Sequence, residues 1–168
     1  MLCAIAKIDS AARERLAALA KLTNGYGIPP RNVYGHVTLA TYIGNDEDQF
    51  ISSCKEILSG FGKFFICYDK LEVLASTSII VAVPRTEKTM DAIQKGISRR
   101  WAADLNEWTQ ADVWQAHTTL VYSDQADLYT IAKAMQEKFE PFTAQVDRIE
   151  FSRVYEDGYE TIDFFELL

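Results

Sequence analysis

The chain contains two histidines, and both open the same short pattern: His36-Val37-Thr38-Leu39 and His117-Thr118-Thr119-Leu120. Imidazole has the side-chain pKa nearest neutrality, so it is the common proton carrier in catalysis. In a β-strand alternate side chains share a face. His36 and Thr38 should therefore project together, as should His117 and Thr119. The same alternation puts Ala40 and Tyr42 on the His36 face and turns Thr118, Leu120 and Tyr122 away from His117. Two such pairs facing each other supply two proton carriers and two hydroxyl donors. That set suits a phosphodiester. One neutral imidazole takes a proton from water or a ribose hydroxyl, and one imidazolium protonates the departing oxygen. The threonines hydrogen-bond the non-bridging oxygens, where charge accumulates. Two histidines cover both proton transfers and no Asp/His ligand cluster lies near them, so neither a metal nor another cofactor is expected. A lone His-x-Thr in a strand is ordinary, since buried histidines are often simply hydrogen-bonded. The use of every histidine in matched positions is what favours chemistry.

The elements that must position these motifs can be read along the chain. Residues 2–8 form a strand, and Asp9 or Ser10 caps a helix with Ala12, Leu16, Leu19 and Leu22 on its apolar face. Asn24-Gly25 and Gly27 stop that helix, and Ile28-Pro29-Pro30 leads to the first motif strand, residues 36–43. Residues 45–48 open a helix carrying Phe50, Cys54, Ile57 and Leu58; residues 63–68 and 71–75 read as paired strands turned at Asp69-Lys70. The order then recurs. A strand over 78–83 ends at Pro84, and a helix from Thr86 presents Met90, Ile93, Ile97 and Trp101. The second motif strand covers 117–122. Ser123 or Asp124 caps a helix with Leu128, Ile131, Ala132, Met135 and Phe139, and strands over 144–155 and 161–167 close the chain. This layout predicts an α+β, bilobal, duplicated fold: two antiparallel sheets with outer helices around a central cleft, related by a pseudo-twofold axis. The whole of 1–168 forms one domain, with lobes of about 1–77 and 78–168.

Bulk properties narrow the function. Apolar residues make up 48% of the 168 and charged ones 24%, which is ordinary for a globular protein. A formal net charge of −7 argues against binding long duplex nucleic acid, which relies on basic surface. It leaves room for a small anionic substrate in a locally positive cleft. No apolar run approaches the roughly 18 residues of a membrane helix. The apolar N-terminus is broken by Lys7 and has no basic leader, so it reads as a strand and not a signal peptide. Cys3, Cys54 and Cys67 form no CxxC pair, which points to a reducing cytoplasm. Nothing in the sequence specifies an oligomeric state.

Paired His-x-Thr-hydrophobic motifs in a chain of this length resemble the 2H phosphoesterase superfamily, which includes the 2′-5′ RNA ligase-like proteins and the cyclic phosphodiesterases. The resemblance implies metal-independent hydrolysis, or reversible ligation, of phosphodiesters at a ribose 2′ position. Implied partners are small nucleotides or short RNA ends bearing a 2′,3′-cyclic phosphate or a 2′-5′ linkage. It implies His36 and His117 as the catalytic pair and Thr38 and Thr119 as phosphate ligands. Tyr42 joins them as a groove-lining candidate. Arg31 and Tyr34 at the mouth, Trp108 and Trp114 as stacking platforms, and Arg153 and Tyr155 are weaker candidates; Arg99-Arg100 reads as a solvated helix end. Some relatives carry a basic residue soon after a motif. Here Thr41-Tyr42 and Val121-Tyr122 stand there, leaving phosphate charge compensation unassigned. The competing reading is a non-catalytic nucleotide or RNA-end binding module using the same pocket.

Overall fold

The first strand, β1 (Leu2–Ile8), is buried along its whole length. Its apolar run makes this possible, and its position requires it. It pairs antiparallel with β2 (His36–Tyr42) on one side and with β6 (Phe142–Val154) on the other. This computed structural model describes residues 1–28, 35–75, 77–85, 87–124, 126–155 and 158–168. Arg31 and Tyr34 lie outside the described residues. The remaining strands are β3 (Phe64–Val73), β4 (Ile79–Pro84), β5 (Thr118–Tyr122) and β7 (Tyr159–Glu166). Strand order is β2-β1-β6-β3-β4-β5, with β7 paired to β6, and every pairing is antiparallel.

Among the described residues four α-helices flank this sheet, each started by an acidic cap, as the unpaired N–H groups of a first turn favour. Asp9 accepts from the Ala12 N–H at 3.0 Å to begin α1 (Ser10–Ala20). Asp46 caps α2 (Glu47–Leu58) and Glu87 caps α3 (Lys88–Trp101). The fourth helix, α4 (Leu128–Gln136), is capped by Asp127 and not by Ser123 or Asp124. Helices α2 and α3 pack on each other, and α3 lies on β2. Helix α4 lies on β3, and α1 lies against β5 and β6. The fold is thus α+β, an antiparallel sheet with outer helices.

Strand pairing crosses the middle of the chain: β3 from the first half joins β4 and β5, while β6 and β7 from the second half join β1 and β2. The cause is the length of β6. Its start pairs with β3 and the rest with β1 and β7, so the strands form one continuous sheet. One expectation changes: Asp69-Lys70 is no turn. The register against β4 slips between Tyr68 and Lys70, so Asp69 is a β-bulge inside one continuous strand.

The apolar face of β1 and β2 meets α2 and α3 through an aromatic cluster. Phe50 stacks on Tyr42 at 4.5 Å between ring centroids and meets Trp101 edge-on at 5.5 Å and Phe151 at 6.5 Å. Phe50 is wholly buried, so Phe50→Ala should cost about 3–5 kcal/mol through lost contacts and an unfilled cavity. Urea denaturation checks this, and a loss under about 1 kcal/mol would contradict the packing described.

Candidate active site

Both motif strands carry the same irregularity. Along β1 and β2, Ile5 pairs with Thr38 but Ala4 pairs with Ala40, so Leu39 is an extra residue on β2. Along β4 and β5, Val81 pairs with Thr119 but Ile80 pairs with Val121, so Leu120 is an extra residue on β5. Both leucines are buried. A bulge shifts side-chain alternation by one position beyond it. The His36 face therefore runs His36, Thr38, Thr41, opposite Lys7, Ile5 and Cys3. The Thr119 face continues to Tyr122, which the simple alternation had turned away.

Tyr42 is the casualty of this shift and is not a groove residue. It falls on the opposite face, 4% exposed, with its ring on Phe50 and its hydroxyl accepting the Asp46 N–H at 3.0 Å. It is a core residue whose phenol closes the turn into α2.

The strand bearing His36 has a free edge, and the segment leading to the second motif lies along it. The Ile43 N–H donates to the Asp104 carbonyl at 2.8 Å, and the Asn106 N–H donates to the Thr41 carbonyl at 2.9 Å. The Thr41 N–H donates to the Thr109 hydroxyl at 3.1 Å. The Trp114 indole N–H donates to the Thr38 carbonyl at 2.8 Å, and the Thr118 hydroxyl donates to the His36 carbonyl at 2.8 Å. Thr118 has one proton and gives it to a carbonyl, so the Tyr68 hydroxyl, 2.6 Å away, must donate to Thr118. The two motifs are thereby held side by side. Thr118, the unassigned middle residue of its motif, and Trp114, read as a stacking candidate, are the clamps.

The electrostatics differ between the two histidines. His36 is partly exposed and sits across the ladder from Lys7. Burial, the Lys7 ammonium and the nearby His117 all disfavour its charged form, and its pKa is pushed down to about 4. His36 is neutral at pH 7. The Tyr159 ring meets the imidazole edge-on at 6.5 Å. Lys7 donates to the Tyr159 hydroxyl at 2.5 Å and lies 3.6 Å from the Glu150 carboxylate, which also binds Arg148 at 3.0 Å. His117 Nδ1 is 2.8 Å from the Gln115 carbonyl. A carbonyl can only accept, so Nδ1 carries a proton and Nε2 is left to exchange one with a substrate.

The two motif strands are thus brought side by side, with His117, Lys7 and Tyr159 near His36. The sequence carries one sign of Lys7, a single charge inside an otherwise apolar strand, too weak by itself to make it a site residue. Tyr159 has no local signal, because only the C-terminal hairpin brings it there. Of the weaker candidates, Trp108 is exposed, Arg153 pairs with Glu47 at 2.6 Å and Arg100 pairs with Glu56 at 3.1 Å. Among the described residues no three His, Cys, Asp or Glu side chains assemble as metal ligands, and no helix is long and apolar enough to cross a membrane.

No curated protein matches the sequence. Among solved structures, Escherichia coli LigT complexed with 3′-AMP aligns with a TM-score of 0.68 at 12% identity, over 99% of this chain and 96% of that one. The same protein complexed with NADP+ gives 0.69 at 12% identity and the same coverage. A structure described as a phosphoesterase gives 0.64 at 10% identity, over 99% of this chain and 97% of that one. At such identities the likeness is one of fold. The sequence profile of the 2′-5′ RNA ligase superfamily matches residues 8–158, a span that contains both histidine motifs. With matched fold, profile and paired motifs, the chain belongs to the 2′-5′ RNA ligase superfamily, the two-histidine phosphoesterases.

Proposed function

We propose that this protein is a metal-independent phosphodiesterase acting on ribose 2′-linked phosphodiesters, a 2′,3′-cyclic phosphate or a 2′-5′ linkage, in small nucleotides or short RNA ends. The observation that carries the reading is the pair of hydrogen bonds by which Thr118 and Trp114 tie the second motif to the His36 and Thr38 carbonyls. They support a shared pocket for His36, His117, Thr38 and Thr119. E. coli LigT, a relative in fold, has been crystallised with 3′-AMP, ATP and NADP+, which supports nucleotide-sized ligands here. Three free cysteines, Cys3 and Cys54 buried among them, fit a reducing cytoplasm.

The unequal surroundings of the histidines support unequal roles. Neutral His36 is the general base: it accepts a proton as water attacks phosphorus. His117, its Nδ1–H fixed by the Gln115 carbonyl, gives its Nε2 proton to the departing ribose oxygen as the P–O bond breaks. Thr38 and Thr119 donate to the non-bridging oxygens. Lys7 supplies local positive charge inside an acidic protein. For ligation a ribose 5′-hydroxyl replaces water: it gives its proton to the base, its oxygen bonds to the phosphorus of a 2′,3′-cyclic phosphate, and the P–O3′ bond breaks as the 3′-oxygen takes a proton from the acid.

The first test is turnover of nucleoside 2′,3′-cyclic phosphates and a 2′-5′ dinucleotide in EDTA. Turnover should persist under chelation, and His36→Ala and His117→Ala should each lower kcat by about 10²–10⁴-fold. Nucleotide affinity without turnover would favour a binding module instead.

The pH profile follows from the His36 shift. A base must be deprotonated, so kcat/KM should rise with pH through about 4, the value set by burial and Lys7. Lys7→Met removes a neighbouring positive charge and should move the acidic limb upward. An acidic limb at the ordinary histidine value of about 6.5 in the wild type would remove the basis for this assignment.

Thr118 touches no substrate in this mechanism; it positions His36. Thr118→Val should lower kcat about 10-fold with KM little changed, the cost of one lost hydrogen bond, and Thr118→Ser should restore it. Equal changes in kcat for the Val and Ser variants would refute the clamp.

A further inference from the structure

The sheet face that carries His36 continues past Lys7. Residues directly opposite one another on paired strands share a face, and the registers of β2, β1, β6 and β7 lay out two rows across it. One row runs His36, Lys7, Arg148, Glu166; the other runs Thr38, Ile5, Glu150, Phe164. Lys7 and Arg148 are the cations of these rows. Neighbouring strands lie about 4.8 Å apart, so Arg148 leaves the sheet about 10 Å from His36, with Lys7 midway.

Arg148 is held in place but not used up. Its Nη2 lies 3.0 Å from the buried Glu150 carboxylate, and its guanidinium stands over the Phe164 ring, 5.4 Å from the centroid. Glu166 is 3.9 Å from Nη1, beyond hydrogen-bonding distance. A guanidinium has five N–H donors, so one close partner leaves most of them over. Its Nε is shielded from solvent and has no partner among the described residues, while 37% of the side chain stays exposed. Glu150 is also 3.6 Å from the Lys7 ammonium, so one buried carboxylate faces two cations. Glu166 is the other acid of the rows; it stands at the rim, where solvent screens it. In a protein of net charge −7, two adjacent cations on the histidine face make a local site for anions.

We propose that Arg148 binds a second phosphoryl group of the substrate, the one on the 5′ oxygen of the ribose whose 2′,3′ phosphate lies at the histidines. The proposal rests on the phosphodiesterase reading and narrows its substrate to a cyclic phosphate that is also phosphorylated at the 5′ position. The scissile phosphate sits beside His36 and Lys7. The ribose extends along the row, and its 5′ substituent meets the guanidinium one strand further out. Arginine suits this task because its planar fork can meet two phosphate oxygens at once. Glu150 and the Phe164 ring fix that fork before a ligand arrives, which lowers the cost of ordering it. A 5′ phosphoryl group is carried by a 5′-phosphorylated mononucleotide and, as a diester, by the end of an RNA chain.

The test measures kcat/KM for adenosine 2′,3′-cyclic phosphate, for the same compound with a 5′-phosphate, and for an adenylyl-adenosine dinucleotide ending in the cyclic phosphate. Each is assayed with the wild type, Arg148→Gln and Arg148→Lys. The wild type should favour the 5′-phosphorylated mononucleotide over the unphosphorylated one about 10-fold or more, the worth of hydrogen bonds to a charged group. Arg148→Gln should abolish that preference, and Arg148→Lys, which keeps the charge, should retain part of it. Each ratio is taken within one variant, so a general loss of folding or activity cancels. A preference shared by the dinucleotide identifies an RNA end as the source, and one confined to the mononucleotide identifies a free nucleotide; either supports the subsite. A wild type without preference, or a preference that survives Arg148→Gln, overturns the subsite and leaves the phosphodiesterase reading intact. Should the wild type turn over none of the three, calorimetric titration with adenosine 2′,5′-bisphosphate against adenosine 2′-monophosphate decides the subsite alone. Tighter binding of the bisphosphate, lost in Arg148→Gln, keeps the subsite while the catalytic reading falls. Equal binding of the two overturns both.

Discussion

The free edge of β2 is the constraint on which the rest of the molecule depends. An edge strand exposes unpaired carbonyl and amide groups that must find partners. Here they find them in one segment, residues 104–118, whose backbone and side chains bond in turn to Ile43, Thr41, Thr38 and His36. That segment ends at the second motif. Satisfying the edge and bringing the two histidine motifs together are therefore one act. β2 and β5 stand at opposite ends of the strand order, so without this stitching nothing in the ladder would hold them together.

The matched bulges at Leu39 and Leu120 are the second device. Each sends its leucine into the core and reverses the alternation beyond it. His36 and Thr38 keep one face, but Tyr42 is delivered to Phe50 and Trp101 beneath the sheet. In β5 the same shift puts Val121 with Thr118 on the buried side and Tyr122 with Thr119 on the exposed side. Identical irregularities at equivalent motif positions are what a duplicated layout would leave. The rule of simple alternation therefore held for two residues past each histidine and failed at the fourth.

Charge is arranged locally, against the overall balance. The protein is acidic, yet the ladder partner of His36 is Lys7, its ammonium held between the Tyr159 hydroxyl and the Glu150 carboxylate. Glu150 is 5% exposed and shared with Arg148, so Lys7 is neutralised on one side only by a carboxylate it does not own outright. A cation at this depth disfavours a second one on His36 and remains available to an anion. The same face thus keeps one imidazole neutral and favours a phosphate.

The sequence by itself determined the paired motifs and most of the elements. Two histidines, each with a threonine two positions on, marked the family; apolar periodicity located the strands and helices; and the starts of α1 at Asp9 or Ser10 and of α2 within residues 45–48 were readable because capping is a local interaction between neighbours in the chain. What only the tertiary structure decided is everything that depends on a partner far along the chain. A bulge is a property of two paired strands, so Leu39 could not announce that it would turn Tyr42 inward. The sharing of β6 between two sets of strands, which moved β3 into the company of β4 and β5, follows from pairing energies spread over distant segments. Lys7 met His36, Tyr159 met both, and Thr118 and Trp114 reached the first motif for the same reason: hydrogen bonds and charges act through space over a few ångströms, whatever the separation in sequence.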